Sequence, residues 1–85
     1  MGYSGGMTEY GDTFNEAVAA ELRAERGRVQ VTIAEIITAT GLSKTAVLNY
    51  LGGKRSIPVP ALIDICRALN VDSRVIFDRA EQSIK

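Results

Sequence analysis

Apolar side chains recur along this chain with a helical period in five stretches, the first four ended by glycine or asparagine. In the first, Phe14, Val18 and Leu22 are spaced four apart with Ala17 beside them. Thr13 and Glu16 have capping-box spacing, which predicts a helix start at Thr13, and Gly27 is expected to end it. In the second, Thr32 and Glu35 repeat the T-x-x-E signature, Ile33, Ile36, Ile37 and Thr40 form the stripe, and Gly41 stops it. Leu42 is expected to plug the corner, and Ser43 to cap a third helix, Lys44 to about Leu51. That helix turns Val47 and Leu51 or Tyr50 inward and ends at Gly52-Gly53.

Pro58 and Pro60 bracket the start of a fourth helix, where a missing N–H costs nothing. Val59, Leu62, Ile63, Cys66 and Leu69 have core spacing, and Ala61 and Ile65 widen the stripe, so this helix is expected to be central and buried. Asn70 is a candidate left-handed cap and Asp72 a candidate N-cap for a fifth helix, with Val71 and Ile76 at hydrophobic-staple spacing. Its stripe is Val75, Ile76, Arg79, Ala80 and Ile84. Phe77 and Ile84 exceed what a small core covers, which points to a homodimer contact through this helix or to a frayed end. Residues 1–11, with four glycines, two tyrosines and no period, read as a flexible tail in which Met7 offers a second start. The expectation is an all-α, five-helix domain over residues 12–85.

Composition narrows the function classes. Eighty-five residues make one domain with a single small core and no room for a deep catalytic cleft. Apolar residues are 46% of the chain and charged residues 24%, as in a globular protein, and no apolar run is long enough for a membrane span. There is no histidine, and Cys66 is the only cysteine, so neither a metal site nor an internal disulfide is expected. The lone thiol fits a reducing cytoplasm, and nothing marks an enzyme or calls for a cofactor.

The formal net charge is zero, but the charge is unevenly spread. Between Leu22 and Pro58 stand Arg23, Arg26, Arg28, Lys44, Lys54 and Arg55 against Glu25 and Glu35, a net +4, and the remainder is −4. The positive segment coincides with the two helices around Gly41, as expected of a phosphate-binding footprint. Two short helices joined by a tight turn at Thr40-Gly41-Leu42, the second bearing small polar and basic side chains with no packing task, have the pattern of a helix-turn-helix.

The run from Thr32 to Phe77 resembles the Cro/repressor type of helix-turn-helix, the XRE family. The features appear in order: the T-x-x-E start, Gly41 in the turn, a Ser43-led helix with Val47 inward, Gly53-Lys54-Arg55, and a proline-started helix ending Ala68-Leu69-Asn70-Val71. The resemblance covers roughly residues 13 to 80. Three positions depart from it: Ile33 stands where a phosphate-holding Gln is usual, Ile37 where a small Ala is usual, and Leu51 where a Glu is common.

The resemblance implies a lambda-repressor-like bundle that binds double-stranded DNA at a pseudo-palindromic operator, with helix 43–51 in the major groove. It places Lys44, Thr45 and Asn49, with Leu48 beside them, at base edges. Lys suits guanine, Asn suits adenine, and Thr or Leu suits a thymine methyl. It places Thr32, Ser43, Lys54 and Arg55 at phosphates, and one of the arginines near Gly27, Arg28, is a further phosphate candidate. The implied role is a transcriptional repressor of the phage-immunity or Cro-like kind. Its size suits a Cro-sized protein or the DNA-binding domain of a longer repressor. Two rivals stay open: an antitoxin using the same DNA-binding fold, and a helix-turn-helix scaffold that binds only protein.

Overall fold

The computed structural model describes the backbone of residues 4–85 and the side chains of residues 9–85. Five helices account for the ordered elements among these residues: α1 (Ser4–Val29), α2 (Ile33–Thr40), α3 (Lys44–Leu51), α4 (Val59–Ala68) and α5 (Ser73–Ser83). The bundle is all-α, as the periodicity predicts. The long α1 packs chiefly against α5 and also touches α3, while α2 packs on α3 and α4. Leu22, Ile36, Val47, Ile65, Leu69 and Ile76, at most 1% exposed, meet at the centre, so every helix contributes to one core.

The caps of α2 to α5 form where the sequence predicts them. Thr32 and Glu35 make a reciprocal capping box, and Ser43 accepts from the Ala46 amide. Asp72 accepts from the Arg74 amide. Asn70 takes φ +59°, and the Val71 N–H returns to Cys66 O at 2.9 Å, closing α4 in a Schellman arrangement.

Helix α1 departs from expectation at both ends. It runs through Thr13, whose amide neighbourhood is already inside a helix, so no capping box forms there. Of the expected flexible tail, residues 1–3 lie outside the described residues, and residues 4–11 belong to α1. Aromatic contacts accompany the extension: Tyr10 stacks on Phe14 with ring centroids 6.5 Å apart, and Phe14 meets Phe77 of α5 at 5.7 Å. The Tyr10 contact carries the four-residue apolar spacing one turn upstream of Phe14. At the other end α1 passes Gly27. Gln30, at φ +59°, supplies the left-handed residue, and the Val31 N–H returns to Arg26 O at 3.2 Å.

The surplus apolar surface also differs. Phe77 and Ile84, expected to be left over for a partner, are half-buried against the core. Phe77 is covered by Phe14 of α1, whose ring centroid lies 5.7 Å away. Helix α4 is less buried than its pattern implies: Val59 is 67% exposed and Ile63 38%, because neighbouring helices cover only the side bearing Ala61, Leu62, Ile65 and Cys66. Val75 of α5, expected within its stripe, is also 38% exposed.

Candidate nucleic-acid interface

The turn between α2 and α3 is held by local hydrogen bonds. Gly41 adopts φ +76° and donates its N–H to Ile37 O at 2.8 Å, a conformation that favours glycine. Thr40 Oγ1 donates to Ile36 O at 2.7 Å and accepts from the Leu42 N–H at 3.2 Å. With Leu42 packed on the core, both ends of the turn are fixed, and the direction in which α3 leaves is set.

The faces of α3 then divide cleanly. Val47, Tyr50 and Leu51 are buried. Lys44, Thr45 and Leu48 are exposed and Asn49 is half-buried, all four on the side away from the core. Leu48 is 46% exposed, a cost in water that a ligand surface would relieve. The four base-reading candidates therefore share one outward surface.

The phosphate candidates occupy three places. Thr32 and Ser43 sit at the N-termini of α2 and α3, each accepting a cap bond at 3.0 Å from Glu35 N and Ala46 N. Their hydroxyl hydrogens stay available as donors, and the first-turn amides add positive dipole. Lys54 and Arg55 follow α3 directly and are exposed, and the Arg55 guanidinium lies 5.6 Å from the Tyr50 ring centroid. Arg28 pairs with Glu25, a buried carboxylate that also accepts from Arg79 of α5 at 3.1 Å, so it is tied to the α1–α5 pair.

The basic segment divides accordingly. Arg23 donates to Leu51 O at 2.6 Å, Arg26 to Val31 O at 3.1 Å, and Arg28 to Glu25. Each of these three arginines has a partner within the fold, although the Arg28 side chain stays 54% exposed, and Lys44, Lys54 and Arg55 are the exposed cations on and beside α3. The residues that the sequence hides are Asn15, which bonds the segment after α3, and Arg23. Both act across long sequence separations onto backbone atoms, and no side-chain pattern records such a contact.

All three departures from the family pattern have packing explanations. Leu51 is 4% exposed and Ile37 is half-buried on the core, so both add apolar contact. Ile33 is also packed on the core, and it cannot donate to a phosphate.

A family model described as helix-turn-helix domain matches residues 17–76. The chain belongs to the helix-turn-helix domain family. The match spans α1 from its second half through the first half of α5, so the outward face of α3 stands inside a helix-turn-helix DNA-binding regulator fold. No curated protein matches the chain in a sequence comparison. Among solved structures, this helix-turn-helix protein is similar to the crystal structure of the clp gene regulator ClgR from C. glutamicum. The two are 25% identical with a TM-score of 0.78, over 85% of this chain and 94% of the other. No helix among the described residues is long and apolar enough to cross a membrane.

Proposed function

We propose that this helix-turn-helix protein is a sequence-specific transcriptional repressor of the Cro-like or phage-immunity kind that reads duplex DNA with α3. In this reading α3 lies in the major groove, with Lys44, Thr45, Leu48 and Asn49 at base edges. Thr32, Ser43, Lys54, Arg55 and Arg28 contact phosphates and fix register. The observation that carries the reading is the division of α3, whose outward face bears four side chains with no packing role, two of them cationic or amide, next to exposed Lys54 and Arg55. The similarity to a gene regulator supports transcription as the output.

The protein acts in the cytoplasm as a homodimer on a pseudo-palindrome, with half-sites about one helical turn, on the order of 34 Å, apart. Helix α5 is the proposed dimer element. Exposed Val75, rather than the half-buried Phe77 and Ile84, supplies its apolar contact.

Selection of bound sites from a random duplex pool tests both parts. The expected result is an enriched sequence with two inverted half-sites at that spacing, bound by two chains. Absence of any duplex binding at low salt would overturn the reading in favour of a protein-binding scaffold, and a single enriched half-site bound by one chain would overturn the dimer.

A further inference from the structure

The segment between α3 and α4 carries Lys54 and Arg55 but has little structure of its own. The amides of Gly52, Gly53 and Lys54 still return to Leu48, Tyr50 and Asn49 of α3. The next amide bonded to backbone is Leu62, which reaches Pro58 O at 2.9 Å, and Pro58 and Pro60 have no N–H to give. Burial does not hold the intervening residues either, since Arg55 and Ser56 are exposed.

Asn15 of α1 spans that gap. Its Nδ2 donates to Arg55 O at 3.1 Å, and its Oδ1 accepts the Ile57 N–H at 3.1 Å. One side-chain amide thus pairs with the main chain on both sides of Ser56, using a donor and an acceptor as a neighbouring strand would. The orientation of the amide is fixed by chemistry, because a carbonyl needs a donor and an N–H needs an acceptor. The same stretch of α1 receives the start of the segment. Gly53, at φ +73°, lies so near that a Cβ there would stand 3.7 Å from Ala19 Cβ and from Glu16 Cα. Ile57 packs on the core and anchors the far end. Between these two anchors, the Asn15 amide is the polar constraint.

We infer that Asn15 is a positioning residue for DNA binding, holding the backbone of Arg55 so that its guanidinium, against Tyr50, meets a phosphate already ordered. This role rests on the proposed DNA reading. Preorganisation lowers the entropy lost when the complex forms, so its removal weakens binding while the groups that touch DNA remain in place. Arg55 O and Ile57 N can be rehydrated when Asn15 is gone, and alanine is a better helix former, so Asn15→Ala is expected to fold.

The test is a double-mutant cycle between Asn15→Ala and Arg55→Ala, read by duplex affinity, with amide exchange at Ile57 and Glu16→Ala as a control. The expected result is a roughly 3- to 10-fold loss for Asn15→Ala, equal on operator and random DNA. Exchange at Ile57 should be roughly tenfold faster. Arg55→Ala should cost less in the Asn15→Ala background than alone, and no such coupling is expected between Glu16→Ala and Arg55→Ala. Losses that simply multiply, or unchanged exchange at Ile57, would overturn the role. A wild-type chain that binds no duplex overturns the DNA reading itself, whereas wild-type binding with an unaffected Asn15→Ala variant overturns this role alone.

Discussion

Arg23 of α1 donates its Nη1–H to the backbone carbonyl of Leu51, 2.6 Å away, at the last residue of α3. A helix leaves its final carbonyls without partners, and here a cation from another helix satisfies one of them at the negative end of the dipole. The bond joins the helix that carries the outward polar face to the longest helix in the bundle. Replacing Arg23 by Ala is expected to cost about 1.5–3 kcal/mol, the range for hydrogen bonds to charged groups. Chemical denaturation measures it. A change within 0.5 kcal/mol or so, as for ordinary surface sites, would show that the bond is replaced by water.

Glu25, 8% exposed, is shared by Arg28 and Arg79 and so fastens α1 to α5. Either arginine alone can neutralise it. The single variants Arg28→Ala and Arg79→Ala should each be mild, while the double variant strands a buried carboxylate and should cost about 3 kcal/mol or more, exceeding the sum of the singles. Strict additivity in a thermal or denaturant series would contradict a shared counter-charge.

Cys66 is buried at 2% exposure between α4 and its neighbours. Burial, with a smaller contribution from the nearby Asp72 charge, pushes its thiol from 9.0 up to about 11. The folded value lies above the unfolded one, so the neutral thiol's contribution is complete below pH 9 and declines as pH rises toward 11. The loss over that window is on the order of 2–3 kcal/mol. Comparing the pH slope of stability between the wild-type chain and Cys66→Ala isolates it from other titrations. Identical alkaline slopes would count against a buried thiol.

Asn49 and Arg55 should separate base reading from phosphate contact. Asn49→Ala is expected to lose about 1–3 kcal/mol on the operator and little on random duplex. Arg55→Ala should weaken both alike and lower the salt slope by about 1. Titrations at several salt concentrations measure both. Equal losses on operator and random DNA for Asn49→Ala would remove it from base readout.

Helix placement from α2 onward could be read residue by residue because each boundary is local. Thr32 with Glu35, Ser43, Asp72 and Asn70 meet their partners within a few residues, so the spacing alone specifies the bond. Helix α1 was less legible: it runs through the local start signal at Thr13, with Tyr10 stacked on Phe14 one turn upstream, and it passes Gly27 to close at Gln30 three residues later. The charge pattern was legible only in part. It marks the region around the turn, but it does not separate the arginines that bond Leu51, Val31 and Glu25 from Arg55, which remains exposed.

By itself the amino-acid sequence determined five helices, a glycine turn between the second and third, and a third helix with one apolar and one polar face. Periodicity, caps and left-handed residues are short-range, so the chain carries them locally. Tertiary structure alone decided which apolar residues are covered, sending Phe77 inward and leaving Val59 exposed. It also decided that Asn15 and Arg23 of α1 hold the backbone of the segment after α3 and the end of α3. Those contacts join residues 28 to 42 positions apart, and they exist only once packing has brought the helices together.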